Sequence, residues 1–103
     1  MHVPQLSSFF NAIATDDRIK TTHIALYMVL FELWNQHFFV GPISISRSRV
    51  MCMCKIGGKT TYHDHLKDLV EFGYIKYLPS YHPQEGSLVW MVSLELSSKK
   101  IIS

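Results

Sequence analysis

The sequence predicts an α+β domain in which several helices are followed by a pair of antiparallel strands. Apolar residues recur at helical spacing through much of residues 5–73, and two adjacent glycines, Gly57 and Gly58, separate the last two helical segments. After Gly73 the pattern changes to one typical of strands. With 103 residues, 48% of them hydrophobic and 17% charged, the chain suits one folded domain, placed at residues 1–96, before a flexible tail at 97–103.

Two N-terminal helices are predicted within residues 5–38. Ser7 or Ser8 is the expected N-cap of the first, and Thr21 or Thr22 begins the second, which extends to about residue 37. The helix is indicated by apolar residues that recur at three- and four-residue spacing: Ile24, Met28, Phe31, Leu33 and Trp34.

Aromatic residues are frequent in these helices and are expected to lie in the core. Leu26 and Leu30 extend the apolar surface further round the second helix, so burial on more than one side is expected. Two arrangements provide it: the first helix covers the surface, or two copies form a homodimer through their N-terminal helices. The aromatic residues assigned to the core are Phe9, Phe10, Phe31, Trp34, Phe38 and Phe39.

A short strand at residues 43–45 precedes the next helix, which Ser46 or Ser48 can cap. Its inner face is predicted to contain Val50, Met51 and Cys54. The pair Gly57 and Gly58 then forms a tight turn, where glycine relieves the steric cost of a positive φ.

The following helix is expected to open at Thr60 or Thr61 and to end at Gly73 in a left-handed conformation. Its apolar residues are spaced by four and three positions and so share one face. That inner face is Tyr62, Leu66 and Leu69, and the opposite, polar face is Lys59, Thr60, His63, Asp64 and Lys67.

Residues 74–78 and 88–94 are predicted strands, joined by a loop at 80–87. Helix, glycine turn, helix and antiparallel hairpin is the order of a winged helix-turn-helix. The helix-turn-helix then lies at residues 46–73 and the wing at 74–94.

The segment SRSRVMCMCKIGGKTTYHDHLKDLVEFGYI, residues 46–75, resembles the helix-turn-helix core of bacterial winged-helix regulators. A wider stretch, residues 9–92, is similar to small helix-turn-helix proteins of Bacteroides-type mobile elements. Asp64 departs from the pattern, because the regulators commonly have Arg or Lys there. The residues that carry the resemblance are Thr61, Leu66, Leu69, Gly73 and Ile75.

The resemblance implies sequence-directed binding of double-stranded DNA by a transcriptional regulator or an accessory factor of a mobile element. Charge agrees with it, because residues 47–76 hold six Lys and Arg against three Asp and Glu, a net +3 in a chain of net +2. Asp64 and Asp68 keep open an alternative, a winged-helix module that binds protein. The implied DNA-binding residues are Arg47, Arg49, Lys59, Thr60, Thr61, His63, Lys67, Lys76 and Tyr81.

No metal, cofactor or small-molecule ligand is predicted. Cys52 and Cys54 lie two apart on a helix, so their sulfurs point about 200° from each other, and His63 and His65 diverge in the same way. Buried thiols and surface imidazoles are expected instead. No catalytic motif is recognisable, and no membrane span is expected. Residues 1–4 lack the charged start and the apolar stretch of a secretion signal, so none is expected. The sequence therefore predicts a cytoplasmic protein that is not an enzyme.

Overall fold

Four helices and three strands make up the fold in a computed structural model that describes residues 3–79 and 86–93. The α+β class is therefore confirmed. In chain order the elements are α1 (Val3–Ile13), α2 (Thr21–Gln36), β1 (Ile43–Ile45), α3 (Arg47–Cys54), α4 (Lys59–Glu71), β2 (Ile75–Leu78) and β3 (Ser87–Met91). The predicted flexible tail at 97–103, Tyr81 and the last predicted strand residue, Leu94, lie outside the described residues.

The three strands form one antiparallel sheet in the order β1-β3-β2. Val89, at the centre of β3, lies opposite Ile43 on one side and Tyr77 on the other. The predicted pairing of the two last strands is confirmed. The short strand β1 occupies the other edge of β3, which fixes the start of α3 against the sheet.

The core lies between this sheet and α2, α3 and α4. Leu26 and Leu30 from α2, Leu69 from α4 and Val89 from β3 have no exposed surface. α1 joins the core through Phe9, whose ring stacks on Tyr27 with 3.7 Å between the ring centroids. Burial of these apolar side chains is the main term that holds the helices to the sheet.

Two further contacts hold α1 and the α1–α2 connection to the rest of the fold. The buried Gln5 donates through Nε2 to the Val92 carbonyl oxygen at 2.7 Å and to the Tyr27 hydroxyl at 3.0 Å. Asp16 accepts hydrogen bonds from the guanidinium of Arg18 and, at 2.9 Å, from the hydroxyl of Tyr74. These hydrogen bonds hold α1 against the end of β3 and the α1–α2 connection against Tyr74.

Several predicted helix boundaries are wrong. Ser7 and Ser8 lie inside α1, because that helix already begins at Val3. α4 begins at Lys59 with Gly58 as its N-cap, so neither Thr60 nor Thr61 opens it. By contrast, the predicted capping of α3 is confirmed, because Ser46 Oγ accepts from the Arg49 amide at 3.2 Å.

The positive φ predicted for Gly57 and Gly58 is found at neither residue. Gly58 has a φ of −103°, and Gly57 is also outside the left-handed region. Lys55 adopts it instead, with a φ of 63°, and its amide donates to the Met51 carbonyl oxygen to end α3. The left-handed conformation predicted for Gly73 is confirmed, at a φ of 89°.

Most of the residues whose spacing indicates α2 are not the ones that it buries most deeply. The buried face is His23, Leu26, Tyr27, Leu30 and Leu33, whereas Ile24, Met28 and Phe31 are only half-buried. Nearly every side of α2 is apolar, so periodicity alone does not select the side that meets the core.

The aromatic set is also divided, because only Phe9 is fully buried. Phe31, Trp34 and Phe39 are half-buried and lie edge to face or tilted against one another. Phe10 is 45% exposed and Phe38 is 84% exposed, so their assignment to the core is wrong. Phe38 lies beyond the end of α2, where no neighbouring element covers it.

Candidate functional site

α4 separates its apolar and polar residues as its sequence predicts. Tyr62, Leu66 and Leu69 are at most 2% exposed and face the core. Burial raises the pKa of the Tyr62 hydroxyl to about 12. The opposite face is exposed and consists of Lys59, Thr60, His63, Asp64, Lys67 and Glu71; Thr61 is exposed on the flank.

Two arginines extend the positive charge to the helix before α4. Arg47 and Arg49 occupy the first turn of α3, just after its Ser46 N-cap, and both side chains are exposed. A four-residue turn, residues 55–58, connects α3 to α4. The structure therefore presents exposed cations on both helices of this pair.

Lys76 occupies a different surface. It is exposed on β2 between the buried Ile75 and the half-buried Tyr77. Since successive side chains of a strand point to opposite faces, Lys76 lies on the sheet face away from the core, and Tyr77 lies on the face that meets α4. The structure does not bring Lys76 to the exposed face of α4, and Tyr81 lies outside the described residues.

The predicted cations are available to bind an external anion. Within residues 3–79 and 86–93, the contacts between basic side chains and carboxylates are the ion pair of Arg18 with Asp16 and the hydrogen bond of His23 with Asp68. None of the cations on α3, α4 or β2 takes part in them. Asp64 and Glu71 share the exposed face of α4 and reduce its positive charge.

A polar cluster that sequence analysis missed connects α2 to α4. His23 is buried at 2% exposure, and its Nε2 lies 2.9 Å from Oδ2 of Asp68. His65 Nε2 lies 3.3 Å from Thr22 Oγ1, and the His65 ring meets the His23 ring edge to face. Polar residues three apart on a helix, as His65 and Asp68 are, share a side, but nothing in their spacing indicates a partner 45 residues earlier.

His23, His65 and Asp68 have the residue types of a metal site, with ligand atoms within 4.8 Å of one another. The hydrogen bonds of His23 oppose that role. Its Nδ1 accepts from the Lys20 amide at 2.9 Å, so a neutral ring carries its proton on Nε2 and donates it to Asp68. A metal on Nε2 would move that proton to Nδ1, against the Lys20 N–H. The arrangement therefore favours a hydrogen-bonded connection between two helices over a ligand set.

The cysteines and histidines considered from the sequence do not converge. Cys52 is exposed, which contradicts its predicted burial, and Cys54 is buried. They diverge because successive helical residues are rotated by about 100°. Burial raises the pKa of the Cys54 thiol. His63 lies on the exposed face of α4, whereas His65 faces α2.

A cavity of about 290 Å³ lies between α4 and β2. Tyr77 forms its β2 side, and the hydroxyl of that residue donates to Ser87 Oγ at 3.1 Å. On the α4 side, two residues of the exposed polar face, His63 and Lys67, lie at the edge of the cavity. Its lining residues are His63, Leu66, Lys67, Val70 and Tyr77.

Comparison with known proteins identifies no significant relative of this chain. No protein-family model matches the chain, and neither curated proteins nor solved structures give a significant match. The resemblance to winged-helix regulators therefore stays a prediction. Among the described helices, none combines the length and the apolar character needed to cross a lipid bilayer.

Proposed function

We propose that this protein binds double-stranded DNA in a sequence-directed manner. In this proposal the fold is a winged helix-turn-helix, with α3 and α4 as the helix-turn-helix and the β2–β3 hairpin as the wing. The order of the elements and the four-residue turn between α3 and α4 support it. Its role would be transcriptional control or accessory work in a mobile element.

The exposed face of α4 is the observation that carries the proposal. A helix that enters a major groove needs one side fixed to its own domain and the other lined with hydrogen-bonding groups. Tyr62, Leu66 and Leu69 provide the first. Thr60 and the other exposed polar residues of α4 provide the second.

In this proposal, contacts to bases and contacts to phosphates come from different residues. Thr60, Thr61 and His63, in the first turns of α4, would contact base edges. Lys67, further along the helix, is suited to a phosphate, as are Arg47 and Arg49 at the start of α3. Contacts to phosphate position the domain, and contacts to bases select the sequence.

Duplexes selected from a random library, followed by anisotropy titrations at several salt concentrations, test the proposal. Lys59→Ala and Lys67→Ala should each weaken binding and lower the salt slope by about one unit. Lys20→Ala is the matched control, because Lys20 is exposed at the start of α2 and does not belong to the exposed polar face of α4. If all three variants bind like the wild type, α4 is not the DNA-binding helix.

Asp64 and Glu71 favour a second candidate, a module of the same fold that binds protein. Their exposed carboxylates share the α4 face with the lysines, and such a mixed surface also suits a polar protein interface. Selection from random duplexes distinguishes the two. Recovery of no enriched sequence, with weak binding at low salt only, would favour the protein-binding module.

Self-association through the N-terminal helices is part of the proposal, because two domains can bind two half-sites of one operator. Support comes from the apolar side chains left exposed by α1 and by the segment after α2: Phe10, Phe38 and Val40. Sedimentation at micromolar concentration tests it. A species near the 11.9 kDa chain mass, unchanged at higher concentration or with DNA, would rule out the dimer.

A further inference from the structure

The cavity between α4 and β2 combines an apolar interior with a basic margin. Leu66 is buried, and Val70 and Tyr77 are half-buried, so these side chains provide apolar walls. His63 and Lys67 also line the cavity, but both are exposed and belong to the polar face of α4. Among the residues that the structure describes, no acidic one lines it. An apolar cavity with a few polar groups on one side is the usual form of a small-molecule site.

The size and charge of the cavity narrow the class of ligand. A cavity of about 150 Å³ holds one benzene ring, so a volume of about 290 Å³ suits a molecule of about two fused rings. A lysine ammonium at the margin, with no carboxylate among the described lining residues, favours a ligand that carries a negative group at one end.

We propose that this cavity binds a small aromatic carboxylate, with its rings between Val70 and Tyr77 and its carboxylate beside Lys67. We further propose that the bound carboxylate weakens DNA binding, a step that depends on the proposed function. The reason is that Lys67 is both a lining residue of the cavity and a candidate phosphate contact. One ammonium cannot serve both anions fully, so the ligand and the duplex oppose each other, and the coupling acts equally in both directions.

Naphthalene-1-carboxylate is a suitable probe, titrated into the ¹⁵N-labelled chain and followed by amide chemical shifts. Saturable shifts are expected at residues 66–70 and at Tyr77. Naphthalene-1-carboxamide has the same rings without the charge and should bind about threefold more weakly, the effect expected of one exposed ion pair. Shifts that never saturate, or that lie elsewhere on the protein, would overturn the proposed site.

Two variants test the assigned contacts. Lys67→Gln should remove the difference between the carboxylate and the carboxamide, whereas Lys59→Gln, a lysine on the same helix outside the cavity, should preserve it. Val70→Phe places a ring in the cavity and should abolish binding of both probes. If Val70→Phe proves unfolded by circular dichroism, the Lys67→Gln comparison alone decides, because that side chain is exposed.

The same probe, added to a duplex that the wild-type protein binds, tests the regulation. The probe at saturation should raise the Kd for the duplex about threefold in the wild type and leave it unchanged in Lys67→Gln. Saturable probe binding with no effect on the duplex overturns the regulation, and DNA binding without saturable probe binding overturns the site while the proposed function stands. Probe binding by a protein that binds no duplex supports the site and contradicts the proposed function.

Discussion

The connection between α2 and α4 through His23 and Asp68 allows a quantitative test. Asp68→Ala removes the carboxylate that accepts from His23 Nε2 and leaves that N–H donor buried, since His23 is only 2% exposed. An unsatisfied buried donor costs about 1–3 kcal/mol. Asp68 itself is 37% exposed in its side chain, so water can approach the pair, and we take about 1.5 kcal/mol as the expected loss of unfolding free energy.

Two companion variants make the prediction specific. Asp68→Asn keeps an oxygen that can accept from Nε2 and should lose only about 0.5 kcal/mol, the difference between a charged and a neutral acceptor. His23→Ala should cost about 3 kcal/mol, because it also leaves a cavity and removes the acceptor of the Lys20 amide. With His23 already replaced, Asp68→Ala should have almost no effect, so the coupling energy is about 1.5 kcal/mol.

Urea denaturation followed by circular dichroism measures the wild type and all four variants, with unchanged m-values as evidence of an unchanged transition. Effects that add to within about 0.3 kcal/mol would refute the hydrogen bond as an energetic connection. Zinc supplies an independent check. Stoichiometric metal in the purified protein, or unfolding by a chelator, would refute the assignment of the Nε2 proton and favour a metal site at His23, His65 and Asp68.

Three further predictions concern stability. Leu69→Ala, at a fully buried position, should cost about 2–5 kcal/mol in the same denaturation assay, and a loss under about 0.5 kcal/mol would place Leu69 on the surface. Gly86→Ala should cost about 2 kcal/mol more than Gly41→Ala, although both have a positive φ, because only at Gly86 would the added Cβ lie 2.7 Å from a backbone oxygen of β1; equal losses would contradict this. Hydrogen bonds from Arg18, and a further one from a tyrosine hydroxyl, hold the pKa of Asp16 below its ordinary 3.8. Folding therefore favours the ionised carboxylate, and the stability that Asp16 contributes is lost as the pH falls below 3.8 toward the lower pKa of the folded state. Wild type should therefore lose about 1 kcal/mol more than Asp16→Asn between about pH 5 and pH 2, and parallel losses would contradict the assignment.

The sequence by itself determined which face of α4 is buried in the core. Tyr62, Leu66 and Leu69 are the large apolar residues on one side of a helix whose other side is charged or polar, so only one orientation buries them without burying charge. Local chemistry was equally sufficient at the Ser46 cap of α3 and at the left-handed Gly73, because each depends on neighbours within four residues.

Only the tertiary structure decided the remaining features. α2 is apolar on nearly every side, so its buried face depends on the elements packed against it. Phe9 of α1 stacks on Tyr27, and Asp68 of α4 accepts from the polar His23. The bond from His23 to Asp68 joins residues 45 apart, and the cavity beside Tyr77 is a space between two elements that no periodicity encodes. Periodicity reports the contrast between the sides of one element, whereas a cluster or a cavity depends on how several elements approach one another.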